Sequence, residues 1–308
     1  MQPDELNPAQ EELAAALAHP GGRIEFPPEL RASLNADLEH QLAPIAARLG
    51  QDPLYLNKHT IATAAGCEER FLAERAEKFS WSAPKARGTV AHKAIELGAN
   101  MAGHHEPPVL VDEAIAVLQQ ERGLGEWLQE CGDVTRAEIR SAAIATVASF
   151  QDIWFPLTPR HSATFERRVA RRFCDQAIVL TGKMDLTLGS SRTRESRMVV
   201  IDLKSGRVQP DHRADLRIYA LLIALETGVP PRLLASSYLD SAELHTEVVT
   251  EDLLWSQVRR VVDAAGRIVT LITEERDPTR QTGTGCWYCP KNQSCDDGQA
   301  WMAEADDR

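Results

Sequence analysis

The run Met198-Val199-Val200-Ile201-Asp202-Leu203-Lys204 reads as a strand in which a carboxylate and an ammonium project the same way, because residues two apart in a strand share a face. A second acid, Asp185, stands in the preceding apolar run on the side of Thr181, Lys183 and Thr187, opposed to Ile178, Leu180, Met184, Leu186 and Leu188. His92, in Gly88-Thr89-Val90-Ala91-His92, offers an imidazole, and Glu166 a further carboxylate on an earlier strand. Two carboxylates and an imidazole meeting at one point make a site for Mg2+ or Mn2+. A lysine beside them is placed to orient or deprotonate water and to stabilise a pentacovalent phosphate. That is the chemistry of phosphodiester hydrolysis. Each signal is weak alone: Asp-x-Lys arises by chance in a chain of this size, and a lone helical histidine is usually a surface or satisfied core residue.

The cysteines make a second constellation. Cys286, Cys289 and Cys295 follow C-x2-C-x5-C, a spacing that lets thiolates converge on a metal or cluster, and three thiolates want a fourth. Cys131 and Cys174 lie in helical and strand-like settings where a small buried residue is the ordinary reading, so Cys67, in Gly66-Cys67-Glu68-Glu69, is the better partner. It stands 219 residues before Cys286, so a shared site would fasten the two ends of the chain together. Spacing alone leaves an iron-sulfur cluster and a structural Zn2+ both open.

These residues need a scaffold. Apolar spacing of three and four predicts helices at 11–18, 28–49, 60–78, 86–101 (with Thr89 as cap), 111–130 and 134–155. Val-, Ile- and Thr-rich alternation predicts strands at 163–173, 177–188 and 197–204. A helix at 214–226, strands at 233–240 and 244–249 and a helix at 251–274 follow. The result is an α/β fold, a mixed sheet flanked by helices, with an N-terminal helical portion and a polar, cysteine-bearing tail.

The chain of 308 residues has 43% hydrophobic and 26% charged residues, ordinary for a globular protein, and no apolar run long enough to span a membrane. With no secretory signal, a cytoplasmic, reducing location is expected, and six cysteines are too few for a disulfide scaffold. The net charge of −11 argues against nonspecific coating of nucleic acid. Between Arg160 and Arg217, however, 13 Lys and Arg face 7 Asp and Glu, a basic middle of +6 in an acidic frame. No nucleotide-binding Gly-x4-Gly-Lys-Ser/Thr loop occurs, so any ATP-driven unwinding must come from another chain.

The ordered set Gly88-Thr89-x-x-His92, Glu166 on a strand, Gly182-Lys183-Met184-Asp185, Asp202-Leu203-Lys204 and a later helix with Tyr219 resembles the PD-(D/E)XK nuclease superfamily, specifically its RecB-like branch, over about residues 58–298. The resemblance implies a restriction-endonuclease-like core at 58–275 with a helical insertion at about 105–158, an extension at 1–57 and a cluster-binding segment at 276–308. It implies that His92, Asp185 and Asp202 bind the divalent metal and that Lys204 is catalytic; from the residues themselves, Asp202, Asp185 and Glu166 are expected to act beside Lys204, and Tyr219, Asp215, Arg217 and Arg207 are candidates for meeting the substrate. CRISPR-associated exonucleases and AddB-type nucleases of that branch carry one cysteine before the core and three after it. By that likeness Cys67, Cys286, Cys289 and Cys295 hold a 4Fe-4S cluster. The activity implied is that of a DNA exonuclease on single-stranded ends, in repair, recombination or phage- and CRISPR-related processing. The rival reading is a weak or inactive nuclease-like scaffold beside a partner helicase or integrase. One departure stands out: Asp215 occupies the place, four residues before Tyr219, where the branch usually has Gln.

Overall fold

Helix α1 (Pro8–Leu17) starts on an Asn7 capping box with Gln10. Helix α2 (Leu30–Ala46) buries Leu30, Leu34, Leu38 and Leu42 on one stripe, each burial contributing about 2 kcal/mol. These belong to a computed structural model that describes residues 6–18, 24–101, 103–190, 194–206 and 211–306, the side chains of 211–215 excepted. A short strand, β1 (Leu54–Leu56), follows in the interval between the helices expected at 28–49 and 60–78. Asn57 then caps α3 (Lys58–Ala65) by accepting from the His59 and Thr60 amides.

The helix expected over 60–78 is two helices, because the chain breaks at Gly66-Cys67 before α4 (Glu68–Ala76). Helix α5 (Ala83–Asn100) begins after Ser82, so Thr89 is not a cap; its hydroxyl donates back to the Lys85 carbonyl at 3.0 Å. The span 111–130 likewise divides, at the left-handed Gly123, into α6 (Pro107–Leu118) and α7 (Leu124–Glu130). Helix α8 (Asp133–Ile153) completes the helical half.

The expected strands form as β2 (Thr164–Phe173), β3 (Ile178–Leu188), β4 (Val199–Lys204), β5 (Leu233–Tyr238) and β6 (Glu243–Val248). Helix α9 (Asp211–Thr227) crosses from β4 to its parallel neighbour β5, and α10 (Glu251–Ile272) and α11 (Asp296–Asp306) follow the sheet. The sheet is mixed, ordered β1-β3-β4-β5-β6, with β2 antiparallel along the remaining edge of β3. One core lies under α2, α3, α9 and α10, the other under α1, α5, α6 and α8. Along β4 and the residue before it the two alternate: Met198 and Val200 join the first, Val199, Ile201 and Leu203 the second.

Two details of β3 set up the site. Because β2 occupies one edge throughout, β1 and β4 must share the other, β1 pairing at 178–180 and β4 at 186–188. The interval between them is a fork. In addition, Ile178, Leu180 and Met184 face the first core whereas Leu186 and Leu188 face the second, which overturns the single apolar face expected from alternation. The pleat slips just after Asp185, and the partner strand slips with it at Glu166, where β2–β3 pairing is interrupted and φ is +52°. A left-handed glutamate is a costly conformation, of the kind found where function demands it.

Candidate active site

Asp185 stands where β3 leaves its pairing with β4. Its Oδ2 accepts from the Leu203 amide at 2.8 Å, so the carboxylate bridges the fork that the backbone ladder leaves open. Its Oδ1 faces His92 Nδ1 at 3.5 Å, delivered by the middle of α5, and the same nitrogen lies 3.7 Å from Glu166 Oε1. Donor atoms of His92, Glu166 and Asp185 all fall within 4.8 Å of one another, among the described residues the one His/Cys/Asp/Glu group so close. Lys183 holds the other oxygen of Glu166.

Asp202 arrives from β4 with each oxygen on a lysine: Lys204 Nζ lies 2.7 Å from Oδ2 and Lys58 Nζ 2.9 Å from Oδ1. Lys58, the first residue of α3, also lies 5.3 Å from the centre of the Tyr219 ring, which α9 supplies. Sequence reading missed Lys58. Its position just after β1 puts it in the fork, but a lysine in the polar run Asn57-Lys58-His59-Thr60 looks like any helix start.

The electrostatics follow from these contacts. Burial pushes Asp185 above the usual carboxylate range, against the His92 charge and with that of Asp202. Burial acts the same way on Asp202, yet the Lys58 and Lys204 charges outweigh it and hold Asp202 well below that range. His92 sits above the ordinary imidazole value, since Asp185 and Glu166 overcome its burial. Burial lifts the Tyr219 phenol to about 12 despite Lys58. Divalent metal ions suit a donor set of one imidazole and two carboxylates with ammonium groups at its margin.

The expected residues His92, Glu166, Asp185, Asp202, Lys204 and Tyr219 thus converge. Arg217 does not: its guanidinium forks onto Glu247 of β6 at 2.6 and 2.8 Å. Arg207 and the side chain of Asp215 lie outside the described residues. Gly182 is required three residues before the donor Asp185 on β3, since a Cβ there would stand 2.6 Å from Leu222 and 2.9 Å from Tyr219.

The tail returns to α4. Glu68, fully buried, receives Arg276 at 2.5 and 2.6 Å and the amide and hydroxyl of Thr279 at 2.8 Å each, while the Glu68 and Glu69 amides donate to the Thr279 carbonyl. Lys291 adds an ion pair to Glu69. These contacts bring Cys286, Cys289 and Cys295 opposite Cys67 around a cavity of 520 Å³. The Cys286 and Cys295 sulfurs both lie within 3.6 Å of where a Cβ on Gly298 would stand. Burial raises the Cys289 thiol; a hydrogen bond from Lys291 opposes it, and the nearby Cys67 adds to it.

The Arg276 hydrogen bonds hold the Glu68 carboxyl down to about 2 against its burial. A depressed acid stabilises the fold above its unfolded value, about 4.5, and that contribution disappears as pH falls towards 2. Glu68→Gln is therefore expected to lose about 2 kcal/mol at pH 7 in urea unfolding, with the gap to wild type closing between pH 4.5 and 2. An equal gap at both ends would show that charge is not what holds the tail.

A mixed sheet forked around a histidine and three acids, with a lysine beyond the last acid, is a candidate metal site of the kind that phosphodiester hydrolysis uses. The chain matches the PD-(D/E)XK nuclease superfamily over residues 56–296 and belongs to that superfamily. Among solved structures it is similar to a provisionally named exonuclease of Eubacterium rectale, at 12% identity and TM-score 0.44 over 90% of this chain and 93% of that one. It is also similar to the protein SSO0001, at 15% identity and TM-score 0.31 over 68% and 95% of the two chains. No curated protein matches significantly. Among the described residues no helix is long and apolar enough to cross a membrane.

Proposed function

We propose that the chain is a divalent-metal-dependent deoxyribonuclease, an exonuclease of the RecB-like branch working on single-stranded ends. The observation that carries this reading is the convergence of His92, Glu166 and Asp185 within one coordination distance, next to the Asp202–Lys204 pair. His92, Glu166 and Asp185 would hold Mg2+ or Mn2+. Asp202 joins them only by giving up an oxygen from Lys58 or Lys204. The bound ion supplies Lewis-acid polarisation of the scissile phosphate and a more acidic water. Lys204 positions the attacking water and offsets charge on the phosphate, and Lys58 keeps Asp202 ionised and in place. A cytoplasmic role in DNA repair, recombination or phage- and CRISPR-related processing belongs to the same proposal, as does the division at 57 and 275.

Cys67, Cys286, Cys289 and Cys295 all line one cavity of 520 Å³, and four thiolates around such a space fit a 4Fe-4S cluster, with a tetrathiolate Zn2+ site as the rival occupant.

The test is digestion of 5'- and 3'-labelled single- and double-stranded DNA with Mn2+, with and without EDTA. Cleavage that EDTA abolishes is expected, the labels giving its polarity. A folded wild type that cuts nothing would instead leave the scaffold reading, a DNA-binding subunit serving a partner helicase or integrase.

A further inference from the structure

The link 77–82 between α4 and α5 carries two aromatic rings that no part of the metal site uses. Phe79 is 70% exposed and meets Trp81 edge to face, ring centres 5.1 Å apart. Lys85 Nζ lies 4.8 Å from the Phe79 centroid and donates to the Ser80 carbonyl at 3.0 Å. Trp81 is braced from behind: its ring packs on the second core, and its Nε1 comes within 3.4 Å of where a Cβ on Gly123 would be. The pair is therefore an aromatic platform anchored at Trp81 and open at Phe79.

That face looks into a cleft of 690 Å³ that also holds His92, Glu166 and Asp185. Arg168 and Lys183, directly opposite each other on β2 and β3, form another part of its wall. Lys183 is committed to Glu166, and Lys93, also in the lining, to Glu96. Arg168 has no ion pair among the described residues, so Arg168 and Lys85 are the cations available to phosphate. A single exposed phenylalanine is unremarkable on any protein surface. An aromatic pair and two available cations opening onto a metal-donor set are a different matter, since stacking on aromatic side chains with cations along the backbone is how unpaired strands are held. The cleft has the size of a small-ligand site, roughly 300–1,000 Å³, enough for a few nucleotides.

We propose that this cleft binds unpaired DNA, bases stacking on Phe79 and Trp81 and phosphates meeting Lys85 and Arg168 on the way to the metal site. The inference rests on the nuclease reading for what happens to the strand, but binding is separable from cutting. The unpaired state of the substrate is thereby selected through its exposed base faces, a selection that charge alone does not provide.

The experiment is fluorescence anisotropy in Ca2+ with a labelled 20-mer of thymidine and a 20-mer of abasic sites, the same phosphates without bases. Wild type is expected to prefer the thymidine strand by about tenfold, the usual size of one good stack. Phe79→Ala should erase the preference and Phe79→Trp keep it, and because Phe79 is largely exposed the alanine variant is expected to fold. Equal binding of both strands by wild type, no binding of either, or an undiminished preference in Phe79→Ala would overturn the proposal. Failure of the nuclease reading is distinguishable, because a protein that never cuts in Mn2+ can still show the base preference, and one that cuts can lack it.

Discussion

Asp185→Asn is expected to lower Mn2+-dependent DNA cleavage at least a hundredfold while leaving thermal stability close to wild type. Loss of an outer partner of a metal ligand already costs about 10–100-fold, and Asp185 is itself a donor to the proposed metal. Its side chain also carries the hydrogen bond from the Leu203 amide, but an asparagine Oδ1 accepts that bond as well. Burial, moreover, already opposes the charged form of Asp185, so a neutral amide suits the protein better than it suits the reaction. Asp202→Asn should behave differently. Asp202 is 3% exposed and holds two lysines, and removing one member of such a buried set costs about 3–5 kcal/mol in addition to activity. Single-turnover digestion beside urea unfolding separates the two variants. Wild-type cleavage by Asp185→Asn would end the claim that the His92 group is the metal site.

The second large effect concerns the thiols. Cys286→Ser is expected to lose visible iron-sulfur absorbance and bound iron after anaerobic purification, and to lower the melting temperature by roughly 5 °C, at about 2 °C or more per kcal/mol for a chain of this size. Its proteolytic pattern around Arg276 should change little, because Glu68 grips Arg276 and Thr279 without any metal. Elemental analysis of wild type decides between the two occupants. One zinc and no iron per chain would replace the cluster with a tetrathiolate site.

Much of the candidate site's geometry was legible because it rides on long, regular elements. Asp202 and Lys204 share a face of β4 as period two requires, and His92, Asp185 and Glu166 come from elements whose type the apolar pattern gives away. What was hidden has identifiable causes. Three residues, Leu54 to Leu56, are too few to show a period, and only pairing with β3 more than a hundred residues later makes them a strand. Without β1 there is no fork, and without the fork no reason to single out Lys58. The slip of β2 and β3 at Glu166 and Asp185 depends on a backbone conformation that a glutamate does not advertise, so alternation assigned Leu186 and Leu188 to the wrong layer. The platform residue Phe79 lies in a loop, where hydrophobic periodicity carries no information.

The clasp between Glu68 and Arg276 has a consequence for biosynthesis. Its two halves leave the ribosome 208 residues apart, a delay of roughly 10–40 s at ordinary elongation rates. During that interval α4 presents a buried-type glutamate without its Arg276 and Thr279 partners, and every strand of the sheet is made before they appear. Docking of the tail is thus a late event that reports completion of the sheet and its helices. A ribosome stalled before Arg276 would hold a chain with all its nuclease residues and an unlatched first half, the form most exposed to proteases.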